Sequence, residues 1–195
     1  MPKIPTGIWA IASHLKTLAE VDQFVTSASA ADCWSLRRPR FSTQDTLTAI
    51  QKMSQHKPLF THAMADWAEL GASGVICGAH SLPPATVKKI YPQLAVGASV
   101  HNDHEIDAAL DADVDFLVYG PIWDTPSKQD FLSARGLEQL EAVVKRSVKV
   151  IAIGGVQTAD QVKQLKQCGV HGVAVLRAAQ DAQLLRELSQ AFNCS

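Results

Sequence analysis

Eight short apolar runs punctuate this chain at nearly even intervals, and no other feature limits its fold as tightly. They are GIWAI (7–11), CWSL (33–36), PLFT (58–61), GVIC (74–77), LAVGAS (94–99), DFLVYG (115–120), VKVIAIGG (148–155) and GVAVL (172–176). Runs of this length, mostly rich in Val, Ile, Leu or aromatic residues, read as buried strands. Between them apolar residues recur three or four positions apart, as in Leu15, Leu18, Val21 and Phe24, in Leu47, Ile50 and Met53, and in Leu184, Leu185 and Leu188. That period predicts amphipathic helices covering a sheet. Ser42 or Thr43, Pro83 with Pro84, and Thr158 suit helix starts, whereas Gly71 and Gly169 stand where helices would stop.

Strict alternation of strand and helix implies parallel strands joined by right-handed crossovers, which leaves an open doubly wound sheet or a closed barrel. No GxGxxG follows the first run, where a dinucleotide-binding open sheet would carry it. Eight units in 195 residues average about 24 residues each, close to the minimum for a barrel. The expectation is a compact (β/α)8 TIM barrel forming one domain over residues 1–195.

Composition narrows the function. Eighteen Lys+Arg against nineteen Asp+Glu give a formal charge of -1, with no basic block to follow a phosphate backbone, so a nucleic-acid partner is not expected. No apolar run approaches the roughly 20 residues of a membrane span, so no membrane partner is expected. Cys33, Cys77, Cys168 and Cys194 lie far apart without a CxxC pair, and no basic-then-apolar leader opens the sequence; reduced thiols in the cytoplasm are the simplest reading. With 47% hydrophobic residues, a chain of this size buries a full core without disulfides or a structural metal.

In such a barrel the chemistry lies just beyond the strand ends. The seventh and eighth runs end in IAIGGV and GVAVLRA. Paired glycines let a ligand approach the backbone, and the helix starts that follow add partial positive charge, so Gly154, Gly155 and the residues around Arg177 form a phosphate cradle. The alternative for the glycines is that they relieve crowding where strand turns to helix. Arg177 either clamps a phosphate or fills the anion site itself and pairs with an acid. The long connection at 121–135 holds Thr125, Ser127, Lys128 and Arg135, suited to a carboxylate or phosphate or simply solvated. His101 follows the fifth run, where an imidazole can act as general acid or base or serve as a helix cap. Cys77, His80 and His62 have the residue types of a metal site, but Cys77 in an apolar run reads better as a small buried hydrophobe, and the pair His101 and His104 is weaker still. Neither metal nor cofactor is expected.

LAVGASVHNDHEIDAALDADVDFLVYGPIWDTPSK, then RGLEQL, then VKVIAIGGVQTADQVKQLKQCGVHGVAVL, resembles the thiamine phosphate synthase superfamily, and more closely its TenI-like thiazole tautomerase branch. The resemblance is strong over 94–178 and holds in outline over 58–93. It implies phosphate contacts from Gly136, Gly154, Gly155 and the backbone of Val175, Leu176 and Arg177, and it places Arg37 and Lys128 in the substrate pocket, with Thr125 and Ser127 beside Lys128. The synthases hold magnesium with two aspartates, whose positions here are Ala63 and Ser81; without them, magnesium-dependent coupling of a pyrimidine pyrophosphate to a thiazole phosphate is not expected. The tautomerases use a histidine at the place occupied here by Pro121, and the serine after the eighth run is replaced by Arg177. The resulting expectation is a TenI-like protein of thiamine metabolism that binds a thiazole carboxylate phosphate, with His101 and Lys128 as catalytic residues and, by resemblance, a homodimer. Two alternatives are a non-catalytic or regulatory phosphate-binding barrel and another phosphate-sugar barrel enzyme.

Overall fold

The computed structural model describes residues 3–124, 133–146 and 148–194. Eight parallel strands follow one another around a closed barrel: β1 (Gly7–Ser13), β2 (Cys33–Arg37), β3 (Leu59–His62), β4 (Gly74–Cys77), β5 (Ala95–Val100), β6 (Phe116–Tyr119), β7 (Lys149–Ile153) and β8 (Gly172–Val175). Closure is direct, since β1 pairs in register with β2 on one side (Trp9 with Cys33) and β8 on the other (Gly7 with Gly172). The barrel expected from the spacing is therefore present, with all eight strands within a residue or two of the predicted runs. The shifts have local causes. Pro58 has no N–H, so only its carbonyl, which accepts from Trp34 N, serves the ladder. Gly154 and Gly155 leave the strand because both adopt positive φ.

The helices are α1 (Leu18–Ser27), α2 (Thr43–Ser54), α3 (Ala65–Ala68), α4 (Pro84–Ile90), α5 (Asp103–Asp111), α6 (Gly136–Val144), α7 (Ala159–Gln167) and α8 (Ala182–Asn193), with a short 3-10 turn at Ala178–Gln180. α3 escaped the sequence pattern because four residues cannot display a helical period. Side chains of Thr17, Ser42, Asn102, Thr158 and Asp181 accept from amides in the first turns of α1, α2, α5, α7 and α8, each cap being worth about 1 kcal/mol. Asp32 and Asp115 tie strand starts together, their Oδ2 atoms accepting from Ile8 N and Val96 N at 2.8 and 2.7 Å.

Side-chain alternation gives the barrel two cores. Outside the sheet, Trp34, Leu36, Ile50, Met53, Leu117 and Leu185 pack under the helices. Inside, Trp9, Phe60 and Phe116 form a plug, with ring centroids 4.5 to 5.4 Å apart. Three wide rings fit one cross-section only because neighbouring inward positions are small. At Gly97 a Cβ would overlap the Phe116 ring. Replacing Gly97 with alanine should therefore lower stability by about 1–3 kcal/mol, the typical cost of overpacking, read as a fall in the urea midpoint with unchanged slope. An unchanged midpoint would mean that the plug gives way freely.

Candidate active site

The same alternation that buries the plug brings the next inward residues to the C-terminal mouth. Ser35 and Arg37 follow Cys33 on β2, His62 follows Phe60 on β3, and Ser99 follows Gly97 on β5. Arg37, His62 and Ser99, together with the ends of β6, β7 and β8, enclose a cavity of about 140 Å³, lined among others by Ile11, Val118, Gly120 and Pro121, by Ile153 to Val156, and by Ala174 to Arg177. Of the residues singled out from sequence, Arg37, His101, Gly154, Gly155, Val175, Leu176 and Arg177 all line this space. Gly136 does not: it opens α6, and its N–H donates to Ile122 O at 3.0 Å. Thr125, Ser127 and Lys128 lie outside the described residues.

Glycine is demanded twice at the end of β7. Gly154 and Gly155 have φ of +106° and +76°, and a Cβ on either would come within 2.5 Å of Pro121 or Trp123. Ile122 N and Trp123 N donate to Ile153 O and Gly154 O at 3.0 and 3.1 Å, pulling the segment after β6 onto the end of β7. Crowding thus explains the glycines, and the same packing makes Pro121 and the two glycines adjoining parts of one cavity wall. On the neighbouring loop Arg177 is exposed and has no ion pair among the described residues.

His101 is anchored by the first turn of α5. Its backbone N–H and its Nδ1 both meet Glu105 Oε2, at 2.6 and 3.0 Å, and Glu105 N donates to Asn102 Oδ1 at 2.9 Å. Asn102, not His101, is the helix cap. A carboxylate only accepts, so Nδ1 carries the proton in this pair and Nε2 is the basic nitrogen.

The ends of β1 and β2 concentrate positive charge. Among the described residues Arg37, Arg38 and Arg40 form no ion pair. Burial, then Arg38, lowers the Arg37 pKa; burial, then Arg40, Arg37 and Arg38, lowers that of His14. His14, Arg38 and Ala63 all have left-handed backbone, with φ of 60°, 47° and 60°, a conformation that costs non-glycine residues energy and gathers at functional sites. His62 sits beside this cluster with Nε2 3.2 Å from the buried Ser35 Oγ. Burial, then Arg37 and Arg38, pushes its imidazole down to about 3, so it is neutral at pH 7. Ser35 and Ser99 did not stand out in the sequence, although each lies two positions before a residue that did, which is the spacing of one strand face.

The fold and cavity define a (β/α)8 barrel whose candidate site lies at its C-terminal mouth between the β7 and β8 ends and a cationic β2 end. A family model described as thiamine monophosphate synthase matches residues 11–179, and the chain belongs to that family. A thiamine-phosphate synthase of Methanococcus maripaludis is 32% identical over 125 residues, covering 64% of this chain and 59% of the relative. One from Hydrogenobaculum is 38% identical over 109 residues, covering 55% of this chain and 50% of the relative. The chain thus matches half to three-fifths of the length of these curated relatives. The solved thiamine phosphate pyrophosphorylase from Pyrococcus furiosus superposes with a TM-score of 0.83 at 25% identity, covering 96% of both chains. No helix of the described residues is long and apolar enough to cross a membrane.

The magnesium of the synthases finds no suitable donor set at the two equivalent positions. Ala63 has no donor atom, and Ser81 Oγ is engaged with Gly78 N, Gly78 O and Leu82 O, all at 2.9 Å. Cys77 belongs to an apolar cluster with Val75, Val87 and Val96, and burial raises its thiol pKa.

The low pKa of His62 predicts a pH dependence of stability. The unfolded imidazole, near 6.5, binds a proton that the native one refuses down to about 3, so this contribution is complete above pH 6.5 and is lost as pH falls through that window. Relative to His62→Asn, the wild type should lose stability by up to about 1.4 kcal/mol per pH unit between pH 6.5 and 4. Urea titrations at several pH values check this, and parallel curves for the two proteins would contradict it.

Proposed function

We propose that this chain binds a thiazole carboxylate phosphate at the barrel mouth and acts on it as a thiazole tautomerase. The reading rests chiefly on one observation: a single cavity joins the Gly154/Gly155 and Val175–Arg177 backbone to Arg37 and His101. The phosphate lies against the backbone N–H groups of the β7 and β8 loops, with Arg177 as an added cation. Arg37 takes the carboxylate, a role that the family resemblance extends to Lys128. Nε2 of His101 removes a proton from one ring position; the ring electrons rearrange into the aromatic thiazole, and the proton returns at another position. Glu105 stabilises the imidazolium that forms between the two transfers.

A non-catalytic binding role is the second reading. It is favoured by Pro121, a side chain with no proton to exchange, in the cavity wall where the tautomerases place a histidine. Coupling chemistry of the synthase type is disfavoured by Ala63 and Ser81. Under either reading the ligand is a small phosphorylated thiazole, and the chain works in the cytoplasm as a single-domain homodimer.

Following the ultraviolet absorbance of the aromatised thiazole separates the readings. His101→Asn should slow the reaction by about 10²–10⁴-fold, the usual contribution of a positioned acid–base group. Full activity in that variant removes His101 from the mechanism, and a wild type that binds the ligand without turnover establishes the second reading.

A further inference from the structure

The Ser35–His62 pair has no part in the roles assigned above, yet His62 lines the cavity and Ser35 fixes its ring. We propose that His62 is a specificity-determining residue, an imidazole held by Ser35 that hydrogen-bonds the edge of a neutral heteroaromatic ring whose phosphate lies in the β7–β8 cradle. The inference rests on the cradle reading and extends it to the part of the ligand farthest from the phosphate.

Three observations carry it. In the closed order of eight strands β3 stands opposite β7, so His62 faces the Gly154 side across the cavity. Ser35 is 1% exposed, and its hydroxyl meets His62 Nε2; this orients the imidazole and leaves Nδ1, which has no hydrogen-bond partner among the described residues, for a ligand. Finally, a cavity of about 150 Å³ takes a benzene-sized ring, so about 140 Å³ suits one small ring with its substituents reaching toward the mouth.

The surrounding charges decide what kind of ring is read. Arg37 and Arg38 approach His62 from the β2 side, the adjoining inward residue on β4 is Ile76, and His101 and Arg177 line the cavity from β5 and β8. Among the described residues no carboxylate lines the cavity, so its side-chain charges disfavour a cationic ring. Protonating His62 beside two guanidiniums is also unfavourable, which keeps its hydrogen bond neutral and directed at a ring heteroatom, while the arginines take the anionic substituent. The ligand class is therefore an uncharged five- or six-membered heteroaromatic ring carrying a phosphate and a second anionic group.

Calorimetric titration of the wild type, His62→Leu and His62→Asn with inorganic phosphate and with thiazole carboxylate phosphate tests this. His62→Leu should weaken the thiazole ligand about tenfold or more, as expected for a lost buried hydrogen bond, and move phosphate less than twofold; His62→Asn should recover part of the loss. In the wild type, the ¹⁵N resonance of His62 Nδ1 should shift with the thiazole ligand and stay still with phosphate, a readout that needs no variant to fold. Unchanged thiazole affinity in His62→Leu, equal weakening of both ligands, or an unmoved Nδ1 resonance overturns the role of His62. A wild type that binds phosphate but not the thiazole overturns the ring assignment and leaves the cradle standing; failure to bind either overturns both.

Discussion

The barrel depends on how Trp9, Phe60 and Phe116 fill its lower half. Three rings within 5.4 Å of one another leave no room for solvent, so the inward positions below the mouth are apolar. The plug also sets the cavity floor. Residues one pleat above it, namely Ser35, His62 and Ser99, are the first inward polar side chains on their strands, and they mark where packing gives way to chemistry. A (β/α)8 scaffold separates stability from function along its axis; here the boundary falls between Phe60 and His62 on a strand only four residues long.

Above that boundary the dominant fact is uncompensated positive charge. The whole chain is nearly neutral at -1, but Arg37, Arg38 and Arg40 meet at one edge of the mouth with His14 and no paired acid among the described residues. Like charges gathered around the half-buried Arg37 disfavour the empty protein, and the left-handed backbone at His14 and Arg38 adds to that cost. An anion relieves the first of these, so the energy withheld from folding becomes available to binding. On the other side of β1 the β7 and β8 loops offer backbone and a single exposed guanidinium to the same cavity. The two ends therefore differ in kind, one a field of side-chain charges and the other mainly a shaped backbone.

Much of this is legible in the sequence. Eight apolar runs separated by helical periods name a closed barrel because the strand count, the even spacing and the missing dinucleotide loop act together. The cavity residues at strand ends were legible for the same reason, since a strand end in this fold is a place as well as a boundary. Gly136 shows the limit: the resemblance implies a phosphate contact there, but only the fold reveals that its N–H already serves Ile122 O. His62 shows another. Its residue type suggested metal binding, whereas its role depends on a serine 27 positions away and on two arginines of another loop, which no local pattern can bring together. The demand for Gly154 and Gly155 likewise comes from Pro121 and Trp123, packed there by bonds between segments remote in the chain.

Ala63 has a consequence of its own. Its backbone is left-handed, with φ of 60°, and its N–H donates to Ile76 O at 3.0 Å. Asp and Asn favour that conformation several-fold over other side chains with a Cβ. The main chain thus has the trace suited to the aspartate that the synthase pattern places at this position, although only a methyl group remains. Geometry and chemistry are separate here: the bend is present without a side-chain ligand atom. A carboxylate introduced at 63 would meet a backbone already in a conformation it favours, so the shape of this turn does not depend on the side chain it carries.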